Sequence, residues 1–95
     1  MRVRYTARAF ADREQIFEYL HQRSPSGAHN VLRSLRESVA QLSDQPHSGY
    51  ATEAPAVRVK FLVQYPYKIF YRVRDDAVEV LHIRHTARRP WRGGG

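Results

Sequence analysis

Apolar residues recur at helical spacing in two stretches of the first half of the chain. Between residues 7 and about 23, and again between residues 25 and about 43, they return every three or four positions. Thr6 and Ser24 stand just before these stretches, and both side chains accept hydrogen bonds from the free amides of a first helical turn. Pro25 suits such a turn because its missing N–H leaves no bond unmade. The short break between the stretches predicts an antiparallel helical hairpin.

Apolar and polar residues alternate in four other segments, which predicts β-strands. These segments are residues 2–6, 56–63, 67–74 and 77–84. In the last of them alternate residues are predicted to share one face: Val78, Val80, His82 and Arg84. Asp75 and Asp76 separate the last two strands and predict a tight hairpin turn. Residues 44–55 contain three proline and glycine breakers and predict a loop.

The predicted order of elements is β-α-α-β-β-β, which places the chain in the α+β class. A helical hairpin must bury its apolar stripe, and the sheet is the only large partner that a chain of 95 residues offers. We therefore predict the hairpin on one face of an antiparallel sheet, with the other face open. Residues 1–92 are predicted to form this single domain, and the glycines at 93–95 a disordered tail.

Positive charge is concentrated in the second part of the chain. The formal net charge is +7. Residues 1–57 contribute +1, from seven Lys and Arg against six Asp and Glu, and residues 58–95 contribute +6, from nine against three. A local excess of this kind attracts nucleic acid or an acidic protein. The alternative is a solvated basic face that has no ligand.

Composition excludes several classes of protein. The chain has no apolar run of about 18 residues and no signal-peptide pattern, so no membrane contact is predicted and the cytoplasm is the expected location. Without cysteine it has neither disulfides nor thiolate metal sites. The five histidines lack metal-ligand spacing and no glycine-rich phosphate loop is present, so neither a metal nor another cofactor is predicted.

The predicted strands carry cations in pairs. Arg58 and Lys60 are two residues apart and share a face, and Lys68 and Arg72 share a face on the next strand. If the two faces coincide, the open side of the sheet presents four cations to phosphates or to an acidic partner segment. The alternative is the ordinary polar face of a half-buried antiparallel sheet.

A histidine and several arginines end the last predicted strand. Arg84 and Arg89 join the strand cations as candidates for phosphate or partner binding. Metal-free RNA cleavage needs a base, an acid and cations on the scissile phosphate, so His85 with Arg88 is the candidate catalytic pair. The alternative is that His85 is a structural histidine bonded to a loop carbonyl.

Several short sequence features follow one another along the chain in this order: Tyr19-Leu20, Ser24-Pro25 with Ala28, Leu42 with Pro46 and Gly49, Arg58, the stretch Tyr67-Lys68-Ile69-Phe70-Tyr71, and His85 with Arg88 and Pro90. In these features the chain resembles the RelE/ParE superfamily of bacterial type II toxin–antitoxin toxins, over nearly its whole length. The resemblance implies the same β-α-α-β-β-β order that the periodicity predicts.

The resemblance also implies a function, which is that of a growth-inhibiting toxin neutralised by a cognate antitoxin. In the superfamily the C-terminal segment of the antitoxin, acidic and amphipathic, wraps the toxin. The pair represses its own operon, so that contact with operator DNA is indirect, through the antitoxin. A basic toxin with an acidic partner segment agrees with the charge distribution.

The superfamily divides by mechanism. RelE-like members cleave mRNA on the ribosome, and the resemblance aligns their basic strand and last-strand positions with Arg58, Lys60, Lys68, His85 and Arg88. Their C-terminal tyrosine is missing, and Trp91 near its place cannot exchange a proton in the same way. ParE-like members instead poison DNA gyrase without a catalytic set. The missing tyrosine and the long second helix predict a ParE-like gyrase poison, with a RelE-like endoribonuclease or a non-toxic binding module as alternatives.

Overall fold

The computed structural model of the protein describes residues 1–87. Its elements in chain order are β1 (Arg2–Tyr5), α1 (Ala7–His21), α2 (Pro25–Asp44), β2 (Tyr50–Ala51), β3 (Arg58–Phe61), β4 (Tyr67–Arg74) and β5 (Ala77–His85). The predicted helices and strands are present with ends shifted by at most a few residues, which confirms the α+β class. The prediction missed β2, a two-residue strand inside the expected loop. Arg88, Arg89, Trp91 and the predicted tail at 93–95 lie outside the described residues.

Both helices begin where the sequence predicts. The Thr6 hydroxyl accepts a hydrogen bond from the amide of Ala9 at 3.1 Å, and the Ser24 hydroxyl accepts one from the amide of Gly27 at 3.1 Å. These bonds satisfy amides that have no partner inside their own helix. The apolar stripe of α2 is buried along its length through Ala28, Val31, Leu35, Val39 and Leu42.

The five strands form one sheet in the order β1-β5-β4-β3-β2. The pairs β3–β4 and β4–β5 are antiparallel, as predicted, and the unpredicted β2 pairs antiparallel with β3, but β1 pairs parallel with β5. The prediction of a wholly antiparallel sheet is therefore wrong at this edge. A short hairpin forces its two strands to run in opposite directions, whereas β1 is joined to the sheet through both helices, and so long a connection permits parallel pairing.

The helical hairpin covers one face of the sheet and encloses the main core. Helix α2 contributes Val31, Leu35 and Val39 to this core. The sheet and the loop before β4 contribute Leu62, Tyr67, Ile69, Val80 and Ile83. Burial of a large apolar side chain stabilises the fold by about 1.5–3 kcal/mol, so this layer is the main source of stability. Within residues 1–87, no helix combines the length and the apolar character needed to cross a membrane.

One extra residue in β5 shifts the alternation on which the strand prediction relied. Val80 and His82 pair with consecutive residues of β4, so Leu81 between them has no partner there. Such a β-bulge moves every later side chain of the strand to the other face. Val80 and Ile83 therefore both reach the core, although an unbroken alternation would place them on opposite faces. The predicted common face of Val78, Val80, His82 and Arg84 is thus wrong beyond the bulge.

Asp75 and Asp76 form the two-residue turn between β4 and β5, as predicted. Both have positive φ, at 53° and 59°. Positive φ at both central residues is the mark of a type I′ turn, whose twist matches that of the paired strands. A residue with a side chain is disfavoured in this left-handed region by about 1–2 kcal/mol, whereas glycine enters it freely.

A buried tyrosine and an arginine hold the loop between α2 and β2. The Tyr71 hydroxyl donates to the carbonyl of Pro46 at 2.8 Å and accepts from the amide of Gly49 at 2.9 Å. Burial raises the pKa of Tyr71, so the phenol keeps the proton that it donates. Nη1 of Arg58 donates to the carbonyls of Gly49, at 2.8 Å, and His47, at 3.3 Å. A Cβ added to Gly49 would lie 2.5 Å from the Tyr71 hydroxyl, so only glycine fits there.

We expect Asp76→Gly to raise the free energy of unfolding by about 0.5–1 kcal/mol, because glycine relieves the backbone strain at the second turn position. Urea denaturation monitored by circular dichroism measures the change. Asp76→Ala is the matched control, since it removes the same charge but keeps a Cβ, and it should not stabilise the protein. Equal stabilisation by both substitutions would assign the effect to charge instead of strain.

We expect Tyr71→Phe to lower the free energy of unfolding by about 1–3 kcal/mol, because it leaves the Gly49 amide and the Pro46 carbonyl without their partner. The same denaturation experiment measures it. Tyr50→Phe removes a hydroxyl from a side chain that is 70% exposed and should leave stability unchanged. A Tyr71→Phe protein as stable as this control would rule out the tyrosine as the anchor of the loop.

Candidate functional site

The two predicted pairs of strand cations do not share a face of the sheet. Arg58 lies directly opposite Tyr71, and Lys60 directly opposite Ile69, so both arise on the face that carries the core residues of β4. Lys68 is adjacent to Ile69 along the strand and therefore lies on the other face. Arg72 is adjacent to Tyr71 and lies on that other face as well. The four cations therefore do not form one surface on the open side of the sheet.

Several of these cations already have contacts within the protein. Arg58 binds the loop carbonyls, and Nε of Arg72 lies 2.6 Å from Oε1 of Glu79, its cross-strand neighbour. The Lys68 ammonium lies 5.6 Å from the centroid of the Phe70 ring. Lys68 also stands directly opposite Arg84 on β5. Like charges in opposed positions are destabilising, so this pair is where an anionic partner would relieve repulsion.

A cleft of about 910 Å³ opens between α1 and the end of β5. It exists because β1 ends at Tyr5, opposite Val80, whereas β5 continues to His85 and, within residues 1–87, has no neighbouring strand along the rest of its outer edge. The residues that line the cleft are Arg8, Asp12, Gln15, Ile16, Tyr19, Tyr67, His82, Ile83, Arg84 and His85. Of the predicted site residues within residues 1–87, Arg84 and His85 are among them, whereas Arg58, Lys60, Lys68 and Arg72 are not.

The first turns of α1 supply hydrogen-bond partners to the edge of β5. Thr6 donates twice, from its amide to the carbonyl of Val80 at 3.0 Å and from its hydroxyl to the carbonyl of Leu81 at 3.1 Å. Oδ2 of Asp12 accepts the amide of Ile83 at 3.0 Å. Unpaired groups on a strand edge are a liability, and the helix takes over from β1 in satisfying them.

Asp12 also binds the imidazole of His82. Oδ2 of the carboxylate and Nδ1 of the ring are 2.5 Å apart, and both side chains are largely buried. Because a carboxylate only accepts, Nδ1 carries a proton. Burial lowers the pKa of His82, the hydrogen bond and charge of Asp12 oppose that effect, and the charges of Arg8 and Arg84 add to it. The net lowering keeps the ring neutral at pH 7.

Sequence reasoning missed this pair. Asp12 and His82 are 70 positions apart, and the bulge at Leu81 hides the environment of the histidine from any count of alternating residues. The only available signal was the histidine itself, placed among apolar residues of a predicted strand.

His85, the predicted catalytic histidine, lies in the cleft with one ring nitrogen already engaged. Its Nδ1 accepts the amide of Ala87 at 3.1 Å. A neutral imidazole that accepts at Nδ1 carries its proton on Nε2, so no lone pair is left to take a proton from a substrate. Its ring packs edge-on against Tyr67, with 5.5 Å between centroids. Arg88, its predicted catalytic partner, is outside the described residues.

Tyr67 does not supply the missing base. Burial raises the pKa of Tyr67, and the neighbouring Tyr19 raises it further, so the phenol stays protonated. In the part of the chain that the structure describes, no three His, Asp, Glu or Cys side chains converge as metal ligands would. The cleft therefore offers positive charge, from Arg8 and Arg84, and hydrogen-bond donors. Cationic groups of this kind bind carboxylates or phosphates through charge-assisted hydrogen bonds.

We expect the free energy of unfolding to fall as the pH is lowered from about 7. The pKa of His82 is lower in the folded protein than in the unfolded chain, where it is about 6.5. The unfolded chain therefore takes up a proton first, and this uptake favours unfolding. The slope from one such group is at most about 1.4 kcal/mol per pH unit. Urea denaturation at pH 7.5, 6.5 and 5.5 measures it. His82→Gln should flatten the dependence, whereas His47→Gln, at an exposed position, should not. Parallel curves for His82→Gln and the wild type would contradict the assignment.

The sequence of the chain is similar to those of known toxins. The family model described as ParE toxin of type II toxin-antitoxin system, parDE, matches residues 3–90. Toxin RelE2 of Caulobacter vibrioides is 36% identical over 86 residues, covering 90% of this chain and 96% of that protein. Putative toxin Y4kP of Sinorhizobium fredii is 32% identical over 90 residues, covering 95% and 92% respectively.

Solved structures agree in fold. A chain of the chromosomal ParDE toxin–antitoxin system from P. aeruginosa matches with a TM-score of 0.79 and 25% identity, over 90% of this chain and 95% of that one. The intact E. coli RelBE toxin–antitoxin complex contains a chain that matches with a TM-score of 0.70 and 16% identity, over 93% and 98%, which is a likeness of fold alone. The chain belongs to the ParE toxin family of type II toxin–antitoxin systems, within the RelE/ParE fold.

Proposed function

We propose that this toxin stops growth by binding DNA gyrase and trapping it on cleaved DNA, and that it performs no chemistry of its own. The observation that carries the proposal is the hydrogen bond at Nδ1 of His85. His85, the predicted catalytic histidine, has its Nδ1 occupied by the Ala87 amide. A histidine that acts by general base catalysis needs a free ring nitrogen aimed at the substrate.

The distribution of cations supports the same proposal. Metal-free RNA cleavage requires positive groups clustered on one phosphate beside the base. Here Arg58 is bound to loop carbonyls, Arg72 to Glu79, and neither they nor Lys60 line the cleft that contains His85. Strands in a sheet are about 4.8 Å apart, so β3 and β5 are separated by about 10 Å, with β4 between them.

We further propose that a cognate antitoxin neutralises the protein through an acidic, amphipathic C-terminal segment. The net charge of +7 and the opposed Lys68–Arg84 pair favour an acidic partner. The related ParDE and RelBE chains come from toxin–antitoxin systems. In this proposal the operator DNA is reached only through the antitoxin, and the site of action is the cytoplasm, where gyrase works.

The test compares the two targets with one matched set of variants. Purified toxin should convert gyrase and supercoiled plasmid into cleaved complexes and should leave mRNA on translating ribosomes intact. His85→Ala should change gyrase trapping by less than about threefold, because no proton transfer is lost. His47→Ala, also a histidine but exposed and outside the cleft, is the control for histidine loss in general.

The opposite result would identify a ribosome-dependent endoribonuclease, as in the RelE branch. The C. vibrioides relative carries the RelE name. In that case mRNA would be cleaved in phase with codons, gyrase would supercoil normally, and His85→Ala would reduce cleavage by about 10²–10⁴-fold. Normal growth on overexpression without antitoxin would contradict both mechanisms and leave a non-toxic binding module.

A further inference from the structure

Two histidines meet at the tip of the helical hairpin. His21 is the last residue of α1, and His29 lies in the second turn of α2. Their ring centroids are 6.2 Å apart. Phe17 packs against both rings, with 5.4 Å between centroids in each case. Only three residues link the two helices, so the backbone on which both rings stand is tightly connected.

The hydrogen bond of His29 determines its tautomer. Nδ1 lies 2.8 Å from the carbonyl oxygen of Pro25. A carbonyl only accepts, so Nδ1 must donate, and the neutral ring then has its lone pair on Nε2. Metal-bound histidines have this arrangement, in which one nitrogen donates to a carbonyl or carboxylate and the other binds the ion. Among residues 1–87, no hydrogen bond engages the ring of His21.

We propose that His21 and His29 form a two-histidine site for a divalent transition ion of the class that prefers imidazole, namely Ni²⁺, Cu²⁺ or Zn²⁺. With metal–nitrogen bonds of about 2 Å, two imidazoles on one tetrahedral ion have ring centres about 5 Å apart. The observed 6.2 Å needs an approach of about 1 Å, which rotation of two exposed side chains provides. Water completes the coordination, because no third protein ligand converges there in the described chain.

The charges around the pair permit a cation. Glu18 precedes His21 by three residues on α1, which places its carboxylate on the same side of the helix. The two arginines nearest in sequence make contacts of their own: Arg23 lies over the Tyr19 ring and donates to the Tyr19 carbonyl, and Arg33 donates to Asn30. A bound ion would tie the end of α1 to the beginning of α2 and so stabilise the hairpin against opening.

The experiment is a titration of the full-length protein, free of any affinity tag, with NiCl₂ at pH 7.5. Isothermal calorimetry should give one saturable site, and thermal unfolding should shift upward with nickel concentration, as binding to the folded state alone requires. His21→Gln and His29→Gln should each weaken binding at least tenfold, because even loss of an outer-shell partner costs about 10–100-fold. His47→Gln, at another exposed histidine, should bind as the wild type does.

A second measurement needs no variant. In the proton spectrum of the wild-type protein, substoichiometric Ni²⁺ should broaden two of the five histidine ring signals first. Broadening of other histidines first, equal binding by the wild type and both Gln variants, or no binding at millimolar nickel would each overturn the proposal. The outcome is independent of whether the toxin acts on gyrase or on mRNA.

Discussion

The pairing of β4 with β5, including the extra residue that β5 inserts at Leu81, positions most of the rest of the molecule. A strand alternates strictly between faces, so one unpaired residue exchanges the faces of all residues beyond it. Through that exchange Ile83 joins Val80 in the core. It also brings the amide of Ile83 and the ring of His82 within reach of one carboxylate, Asp12 on α1. The core and the cleft thus have the same structural origin.

The edge of β5 shows how the helices and the sheet depend on each other. β1 pairs with β5 only as far as Val80. There and beyond, Thr6 donates hydrogen bonds to the edge carbonyls of Val80 and Leu81, and Asp12 accepts one from the amide of Ile83. Because α1 starts at once after β1, the helix runs along the strand that β1 leaves uncovered. The neutral, buried His82 is a consequence of that contact, and its environment makes one part of the fold sensitive to pH.

Net charge is a poor guide to which cations can meet a ligand in this toxin. Of the strand cations, Arg58 fixes a loop together with Tyr71, and Arg72 pairs with Glu79. Lys60 lies on the face of the core residues, and Lys68 and Arg84 form an opposed pair of like charge on the other face. The positive surface that a partner would meet is therefore narrower than the composition indicates. The proposal of a binding mechanism rests on the engaged Nδ1 of His85, and on the positions of Arg58, Lys60 and Arg72 outside the cleft that contains it.

Local regularities in the sequence determined the two helices, the strands β1, β3, β4 and β5, and the Asp75–Asp76 turn. Repeats of about 3.6 and two residues, and the choice of capping and turn residues, act over only a few positions. The charge excess after Val57 is likewise a property of composition. Tertiary structure alone decided the parallel pairing of β1, the bulge, and the division of Arg58 and Lys68 between faces. It alone also decided the contacts of Asp12 with His82 and of His21 with His29. Each of these depends on strand register or on contacts between different elements, and no local periodicity encodes such contacts.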